Sequence, residues 1–187
     1  MSPDRHEVGL QALERLGGPD AAAPILAAAD IAPDLVRFAI DFAFGEVLSR
    51  PGLDLKTREL CTIAALSALG YEPQLKWHVE AALYVGAQQA EVDQIKRIAR
   101  AYVRPSAGGA DGQGPLDPAT RELATVALLT ALGHQPAALK NHLRTALAAG
   151  ATRAQIVQVL EQMAIYAGFP AALNGVAAAR EVLTESA

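Results

Sequence analysis

Apolar residues recur along the chain at helical spacing, and the same pattern of apolar and polar positions occurs twice. The first copy spans residues 53–86 and the second spans residues 116–150. Identical residues lie 63 positions apart over the first part of each copy and, after one extra residue, 64 positions apart over the rest. The recurring residues of the first copy are Leu53, Asp54, Thr57, Arg58, Glu59, Leu60, Thr62, Ala64, Leu66, Ala68, Leu69, Gly70, Pro73, His78, Ala82, Leu83 and Gly86. Identity over so long a span indicates an internal duplication.

The first helix of each copy is predicted to be a central, buried one. Asp54 and Asp117 stand where an N-cap belongs, and Pro118 follows at the first helical position of the second copy. Residues 60–69 and 123–132 are nearly all apolar. A helix without a polar face is typical of the centre of a fold.

A second helix is predicted at residues 73–85 and 136–149, ending at Gly86 and Gly150 in the C-cap position, and a third follows in each copy. Because the turn between the first two helices is short, they are expected to pack antiparallel.

Three further helices are predicted outside the copies, at residues 4–16, 21–29 and 33–49, and a last one at 171–183. The Gly-rich residues 104–115 lack apolar periodicity and are predicted to form a flexible connection.

The predicted fold is all-α: a bundle of about eight helices with two helical-hairpin units related by an approximate two-fold axis. We expect a single domain over residues 1–187, with N-terminal helices (1–52), repeat one (53–103), a linker (104–115) and repeat two (116–187). The composition agrees, since 51% of residues are hydrophobic but only 5% aromatic, which suits closely packed helices.

The net charge and the cysteine content indicate which classes of partner and which cellular location to expect. A net charge of -4 gives no general electrostatic reason to bind nucleic acid or an anionic membrane, so the expected partner is a small molecule or another copy of the chain. The single cysteine, Cys61, lies in an apolar run and is expected to be a buried, reduced thiol. The first residues are charged, and no apolar run reaches about 18 residues. A cytoplasmic location is expected.

Glu59 and His78 are the candidate catalytic residues. Helical spacing places Glu59 on the core-facing side of the first helix and His78 on the core-facing side of the second, so the two side chains are predicted to meet. A buried carboxylate is costly unless it is paired, and beside it an imidazole would be held protonated, which makes an acid/base unit. Glu122 and His142 form the duplicate pair.

A structural role for these residues remains an alternative. Glu59 would then pair with Arg58, Arg121 or a helix end, and His78 would be a core histidine with its hydrogen bonds satisfied. The chain has four histidines without clustered spacing, so no metal site is predicted. Trp77, next to His78, is a packing or interface residue or contacts substrate.

Three stretches resemble the carboxymuconolactone decarboxylase family, which includes the AhpD-type alkylhydroperoxidases. They are RPGLDLKTREL at residues 50–60, the pattern LKxHxxxAL in both copies, and YAGFPAALN at residues 166–174. The hydroperoxidase branch carries Cys-x-x-Cys before the histidine. Tyr71 and Gln74 stand there before His78, and Gln135 and Ala138 stand there before His142. The resemblance therefore implies an AhpD-like fold without thiol-based peroxide reduction.

The resemblance further implies decarboxylation of a small lactone carboxylate, such as 4-carboxymuconolactone, without a cofactor. Such a reaction needs an acid to deliver a proton and a cation for the substrate carboxylates, for which Arg58 and Arg121 are candidates, with Trp77 as a further contact. Two alternatives stay open: a non-enzymatic small-molecule-binding or scaffold protein of the same fold, and an AhpD-related protein without thiol peroxidase activity.

Self-association is expected, as a homotrimer whose six repeats form a pseudo-hexameric ring. The apolar helices at residues 33–49 and 154–183 offer more hydrophobic surface than one duplicated core would cover. The resemblance implies the same, because single-repeat relatives form hexamers and two-repeat relatives form trimers.

Overall fold

The computed structural model describes residues 4–104 and 114–185, and all regular structure in these ranges is helical. Of the predicted linker at 104–115, residues 105–113 lie outside them. The helices are α1 (Arg5–Gly17), α2 (Ala23–Leu26), α3 (Pro33–Phe38) continuing into a π-helical segment (Ala39–Leu48), α4 (Leu55–Leu69), α5 (Glu72–Tyr84), α6 (Gln89–Val103), α7 (Pro118–Leu132), α8 (Pro136–Ala148), α9 (Arg153–Tyr166) and α10 (Gly168–Glu185). The all-α prediction is confirmed, with ten α-helices in these ranges instead of about eight.

The two copies begin and end their first helices in the same way. The carboxylate of Asp54 accepts a hydrogen bond from the Thr57 amide at 2.9 Å, and Asp117 accepts one from the Thr120 amide at 3.0 Å. Gly70 ends α4 and Gly133 ends α7, both with positive φ (77° and 72°), a conformation that glycine adopts without strain. These local signals set the bounds of α4 and α7.

Helices α4 and α7 pack against each other at the centre of the molecule. Residues 57–66 of α4 and 122–131 of α7 are all buried. The central position predicted for these two apolar helices is therefore confirmed.

The third helices, α6 and α9, interlock the two copies. Gln94 of α6 accepts a hydrogen bond from the Leu116 amide at 3.0 Å, at the start of the second copy. Gln158 of α9 donates one to the Pro51 carbonyl at 2.8 Å, just before the first copy. Each third helix therefore supports the beginning of the other copy.

The N-terminal helices form a second hydrophobic cluster, in which α1 packs against the π-helical segment. The backbones approach closely: a Cβ added to Gly9 would lie 2.2 Å from the Ile40 carbonyl oxygen, and one added to Gly45 would lie 2.2 Å from that of Arg5. The sequence predicted one helix over residues 33–49, whereas the structure changes from α to π winding at Ala39.

Helix α10 packs against α7, α8 and α9 of the second copy. The π-helical segment packs mainly against α1, α3 and α9, so it does not take the corresponding position beside α4, α5 and α6. Among the described elements, none covers that surface of the first copy as α10 covers the second.

Candidate active site

Glu59 and His78, predicted to meet, do so. The Nδ1 atom of His78 lies 2.7 Å from Oε2 of Glu59. Glu59 is completely buried and His78 is 6% exposed. The contact exists because α4 and α5 pack side by side with these residues on their facing sides.

The hydrogen bond to Glu59 leaves the other side of the imidazole available. When Nδ1–H is donated to Glu59, Nε2 is the atom that can give or take a proton. No described residue forms a hydrogen bond with Nε2. The second carboxylate oxygen, Oε1 of Glu59, is also buried and has no hydrogen-bond partner within the described ranges.

His78 lines a cavity of about 420 Å³ that is open to solvent. Its walls come from α2, the π-helical segment, the start of α5 and the end of α9. The apolar side chains in the walls include Ile25, Ala43, Phe44, Trp77 and Ile165. The pair is therefore not sealed in the core, because its histidine reaches a space large enough for a small ligand.

Two aromatic rings hold the imidazole. Trp77 packs edge-on against His78 with ring centroids 4.8 Å apart, and Tyr166 does so at 5.5 Å. Burial, together with the charge of Glu59, raises the pKa of Tyr166 far above its ordinary value, although a hydrogen bond with Thr62 acts in the opposite direction. Tyr166 is therefore neutral at the pH of a cell.

Glu122 and His142 also meet, with Oε2 and Nδ1 2.6 Å apart. Their other polar atoms, Oε1 and Nε2, have hydrogen-bond partners of their own. The hydroxyl of Tyr102 lies 2.6 Å from Nε2 of His142, and Arg121 donates to Oε1 of Glu122 at 3.1 Å. Burial acts to raise the pKa of Glu122, but the hydrogen bonds and charges of His142 and Arg121 together hold it below its ordinary value. This pair has no free acid or base atom in the described protein.

Tyr102 and Tyr166 are the site residues that sequence reasoning missed. Tyr102 was counted as an apolar position of a third helix, and Tyr166 was noted only as the first residue of the stretch at 166–174. They lie 64 positions apart, the offset that also relates His78 to His142. Each tyrosine contacts the histidine of the other copy. This shared offset of 64 residues is the sequence signal that could have identified the two tyrosines as site residues.

Arg58, which the sequence suggested as a cation for the substrate carboxylates, lies away from the cavity. Arg58 is 1% exposed, and its guanidinium donates hydrogen bonds to the carbonyls of Arg50 and Leu53 and to the side chains of Gln158 and Gln162. It is not among the residues that line the cavity. The structure thus brings Trp77 to the first pair, leaves Arg58 in a structural network and places Arg121 beside the second pair.

The structure also places the residues that thiol or metal chemistry would use. Cys61 is completely buried, which raises the pKa of its thiol strongly, and Ala124 occupies the equivalent position of the second copy. Within residues 4–104 and 114–185, no group of three or more His, Cys, Asp or Glu side chains is arranged to hold a metal ion. None of the helices there is both long and apolar enough to cross a bilayer.

Comparison with known proteins identifies relatives of part of the chain. A 66-residue stretch is 44% identical to 4-carboxymuconolactone decarboxylase of Acinetobacter baylyi and covers 35% of this chain and 49% of that protein. A 64-residue stretch is 39% identical to an uncharacterized 15.0 kDa protein of Paracoccus denitrificans, covering 33% of this chain and 48% of that protein. The chain therefore matches about half the length of each of these relatives.

The fold is shared with a solved structure. A crystal structure from Burkholderia xenovorans LB400 of a proposed gamma-carboxymuconolactone decarboxylase subunit superposes with a TM-score of 0.67 over 100% of both chains, at 20% identity. The sequence profile of the carboxymuconolactone decarboxylase family matches residues 33–107 and again residues 104–181. Because the two matches together span most of the chain, the protein belongs to the carboxymuconolactone decarboxylase family, as a member with two tandem repeats.

Proposed function

We propose that the protein decarboxylates a small lactone carboxylate, such as 4-carboxymuconolactone, without a cofactor, and that His78 and Glu59 are its proton-transfer pair. One observation carries the proposal. His78 is held at Nδ1 by a buried carboxylate 2.7 Å away, has no partner for Nε2 among the described residues and lines a cavity of about 420 Å³. The named activity of the Acinetobacter baylyi relative supports the choice of reaction.

The reaction requires one proton. The bond between the ring carbon and the carboxylate breaks, carbon dioxide leaves, and the electron pair is delocalised towards the lactone carbonyl. Protonated His78 then gives the proton on Nε2 to the ring carbon, and the neutral imidazole takes up a proton from water. Glu59 orients the ring and offsets its positive charge before the transfer.

The apolar walls of the cavity have a role in this reaction. The carboxylate that leaves carries a localised charge, whereas the charge of the transition state is spread over the lactone. Surroundings such as Phe44, Trp77 and Ile165 solvate the localised charge poorly, and protonated His78 offers a fixed positive group where charge develops.

Non-catalytic binding of a small molecule is the second candidate function. The observation that favours it is the composition of the cavity: among the described residues that line it, none is Arg or Lys. A substrate with two carboxylates would have only His78 as a cationic partner there. An uncharged ligand would suit the same walls.

Carbon dioxide release from purified protein tests the proposal, with 4-carboxymuconolactone and related lactone carboxylates as substrates. His78→Gln removes the proton donor and is expected to lower kcat by about 100-fold or more. Glu59→Gln keeps the hydrogen bond but removes the charge, so a smaller loss is expected in kcat than for His78→Gln. His134→Gln is the matched control, because His134 is exposed in the turn before α8.

The outcomes separate the two candidate functions. Saturable ligand binding without carbon dioxide release from any lactone carboxylate would favour the binding role. Release that survives in His78→Gln but is lost in His142→Gln would assign the reaction to the second pair and contradict the proposal.

A further inference from the structure

The surface of the second copy that binds α10 has an uncovered counterpart in the first copy. In the second copy, Gly175 of α10 lies directly on Thr130 and Leu160. A Cβ added to Gly175 would be 2.9 Å from Cγ2 of Thr130 and 2.8 Å from Cδ2 of Leu160. Leu160 is completely buried there. This close approach shows that the surface is shaped for an apolar helix.

The duplication identifies the equivalent residues of the first copy, and they are polar. Ser67 corresponds to Thr130 at the offset of 63, and Lys96 corresponds to Leu160 at the offset of 64. At the same offset, Arg100 and Arg104 correspond to Ala164 and Gly168. The first copy thus has three cations where the second has small or apolar residues.

These residues line an open cleft of about 510 Å³ between α4, α5 and α6. Lys96 and Arg100 lie one turn apart on the same face of α6, and Arg104 follows directly after the last residue of that helix. The side chains of these three residues form no ion pair or hydrogen bond with a described residue, and Glu72 is the single acidic side chain among the described residues of the cleft wall. Unpaired cations in one cleft create a positive potential.

A second observation concerns the hydroxyl group of Ser67. Ser67 also lines the cleft, and its Oγ atom is shielded from solvent and has no hydrogen-bond partner in the described protein. A buried hydroxyl without a partner costs free energy unless something satisfies it. An anion bound in the cleft would offer it an acceptor.

We propose that this cleft is a second ligand site, for a small organic molecule with two or more phosphate or carboxylate groups. Cations one helical turn apart lie about 6 Å from one another, which suits two anionic groups on one molecule. Leu69, Leu75 and Val103 in the wall provide apolar contact for its carbon skeleton. The cleft shares no lining residue with the His78 cavity, so this site stands independently of the proposed decarboxylation.

Calorimetric titration of the full chain with pyrophosphate and, separately, with citrate tests the site and distinguishes phosphate from carboxylate ligands. We expect at least one probe to bind with a Kd below about 1 mM in about 20 mM NaCl and several-fold more weakly in about 200 mM NaCl, because salt screens exposed charges. Acetate at equal ionic strength should not compete, since it carries one charge.

The double variant Lys96→Gln/Arg100→Gln is expected to weaken binding at least tenfold, and Ser67→Ala by a few-fold. The matched control is Arg97→Gln/Arg153→Gln, which removes the same charge from exposed residues outside the cleft. It should bind as the unmodified protein does.

Three results would overturn the site. One is the absence of binding by either probe at low salt, and another is an equal loss of affinity in the control. The third is a change in molecular mass in Lys96→Gln/Arg100→Gln with unchanged anion affinity, which would make the cleft an interface with a protein.

Discussion

Arg58 and Arg121 occupy equivalent positions in the two copies but have different partners. The guanidinium of Arg58 donates four hydrogen bonds to neutral acceptors, which tie the turn before α4 to α9. Burial lowers the pKa of Arg58 from its ordinary value. Arg121 instead donates to the carboxylate of Glu122. The same residue type therefore stabilises the fold in one copy and the charge of a pair in the other.

Arg58→Lys is expected to lower the free energy of unfolding by about 2–4 kcal/mol, because an ammonium group cannot reach acceptors on both the turn and α9. Chemical denaturation measures the change. Arg121→Lys, at a half-buried position, should cost less. Loss of carbon dioxide release from Arg58→Lys that is still fully folded would restore the hypothesis that Arg58 contacts substrate.

Glu122 makes stability depend on pH. Its folded-state pKa lies below the ordinary value of 4.5, so its ionised form stabilises the folded state at every pH above that value. This contribution is lost as the pH falls through the lowered pKa, where Glu122 takes up a proton in the folded protein.

Glu122→Gln should therefore lower the free energy of unfolding at pH 7, by about 1–3 kcal/mol, and the difference from the unmodified protein should shrink below about pH 4.5. Urea denaturation of both proteins between pH 3 and pH 7 measures this difference. A difference that stayed constant over the whole range would mean that the charge of Glu122 contributes nothing.

At the level of elements, the π-helical segment connects the N-terminal helices to the active-site cavity. Ala39, Ala43 and Phe44 of this segment line the cavity. On its other side the segment contacts α1, where the glycines at positions 9 and 45 allow backbone to approach backbone. The position of α1 therefore bears on the shape of the cavity wall.

Gly9→Ala is expected to destabilise the protein by about 1–3 kcal/mol, since the new methyl group would lie 2.2 Å from the Ile40 carbonyl oxygen and the helices must separate. Thermal unfolding measures the cost. Gly17→Ala in the same helix is the control, because its Cβ would meet only the Ala21 side chain, at 3.1 Å. Equal stability of the two variants would show that α1 moves without cost.

At the level of the whole molecule, large apolar side chains remain exposed on one set of helices. Phe38 is 53% exposed, and Phe169 and Leu173 are 61% and 64% exposed. The rings of Phe42 and Phe169 lie 5.9 Å apart, which joins the π-helical segment to α10 at the surface. Contiguous exposed apolar surface is a common feature of interaction sites in globular proteins.

We propose that this surface is covered by further copies of the chain, as a trimer with six repeats. Light scattering on dilute protein should give three times the chain mass of 19.5 kDa. Leu173→Lys should lower the observed mass, whereas Lys76→Gln, an exposed change on α5, should not. A monomer would contradict self-association, and a dimer would reject the ring symmetry.

The sequence by itself determined the duplication, the bounds of most helices and the meeting of each Glu with its His. These features depend on local signals: an Asp cap, a terminal glycine, and a helical period that sets which side chains share a face. Glu59 and His78 are only 19 positions apart, and a short turn leaves little freedom in how their helices pack.

Only the tertiary structure decided which pair is available for chemistry. The hydroxyl that occupies His142 comes from Tyr102, 40 positions away, and the Gln162 side chain that engages Arg58 lies 104 positions away. The uncovered cleft beside Lys96 likewise depends on where α10 packs. Contacts of this kind arise from the packing of distant helices, which no local pattern of apolar and polar residues encodes.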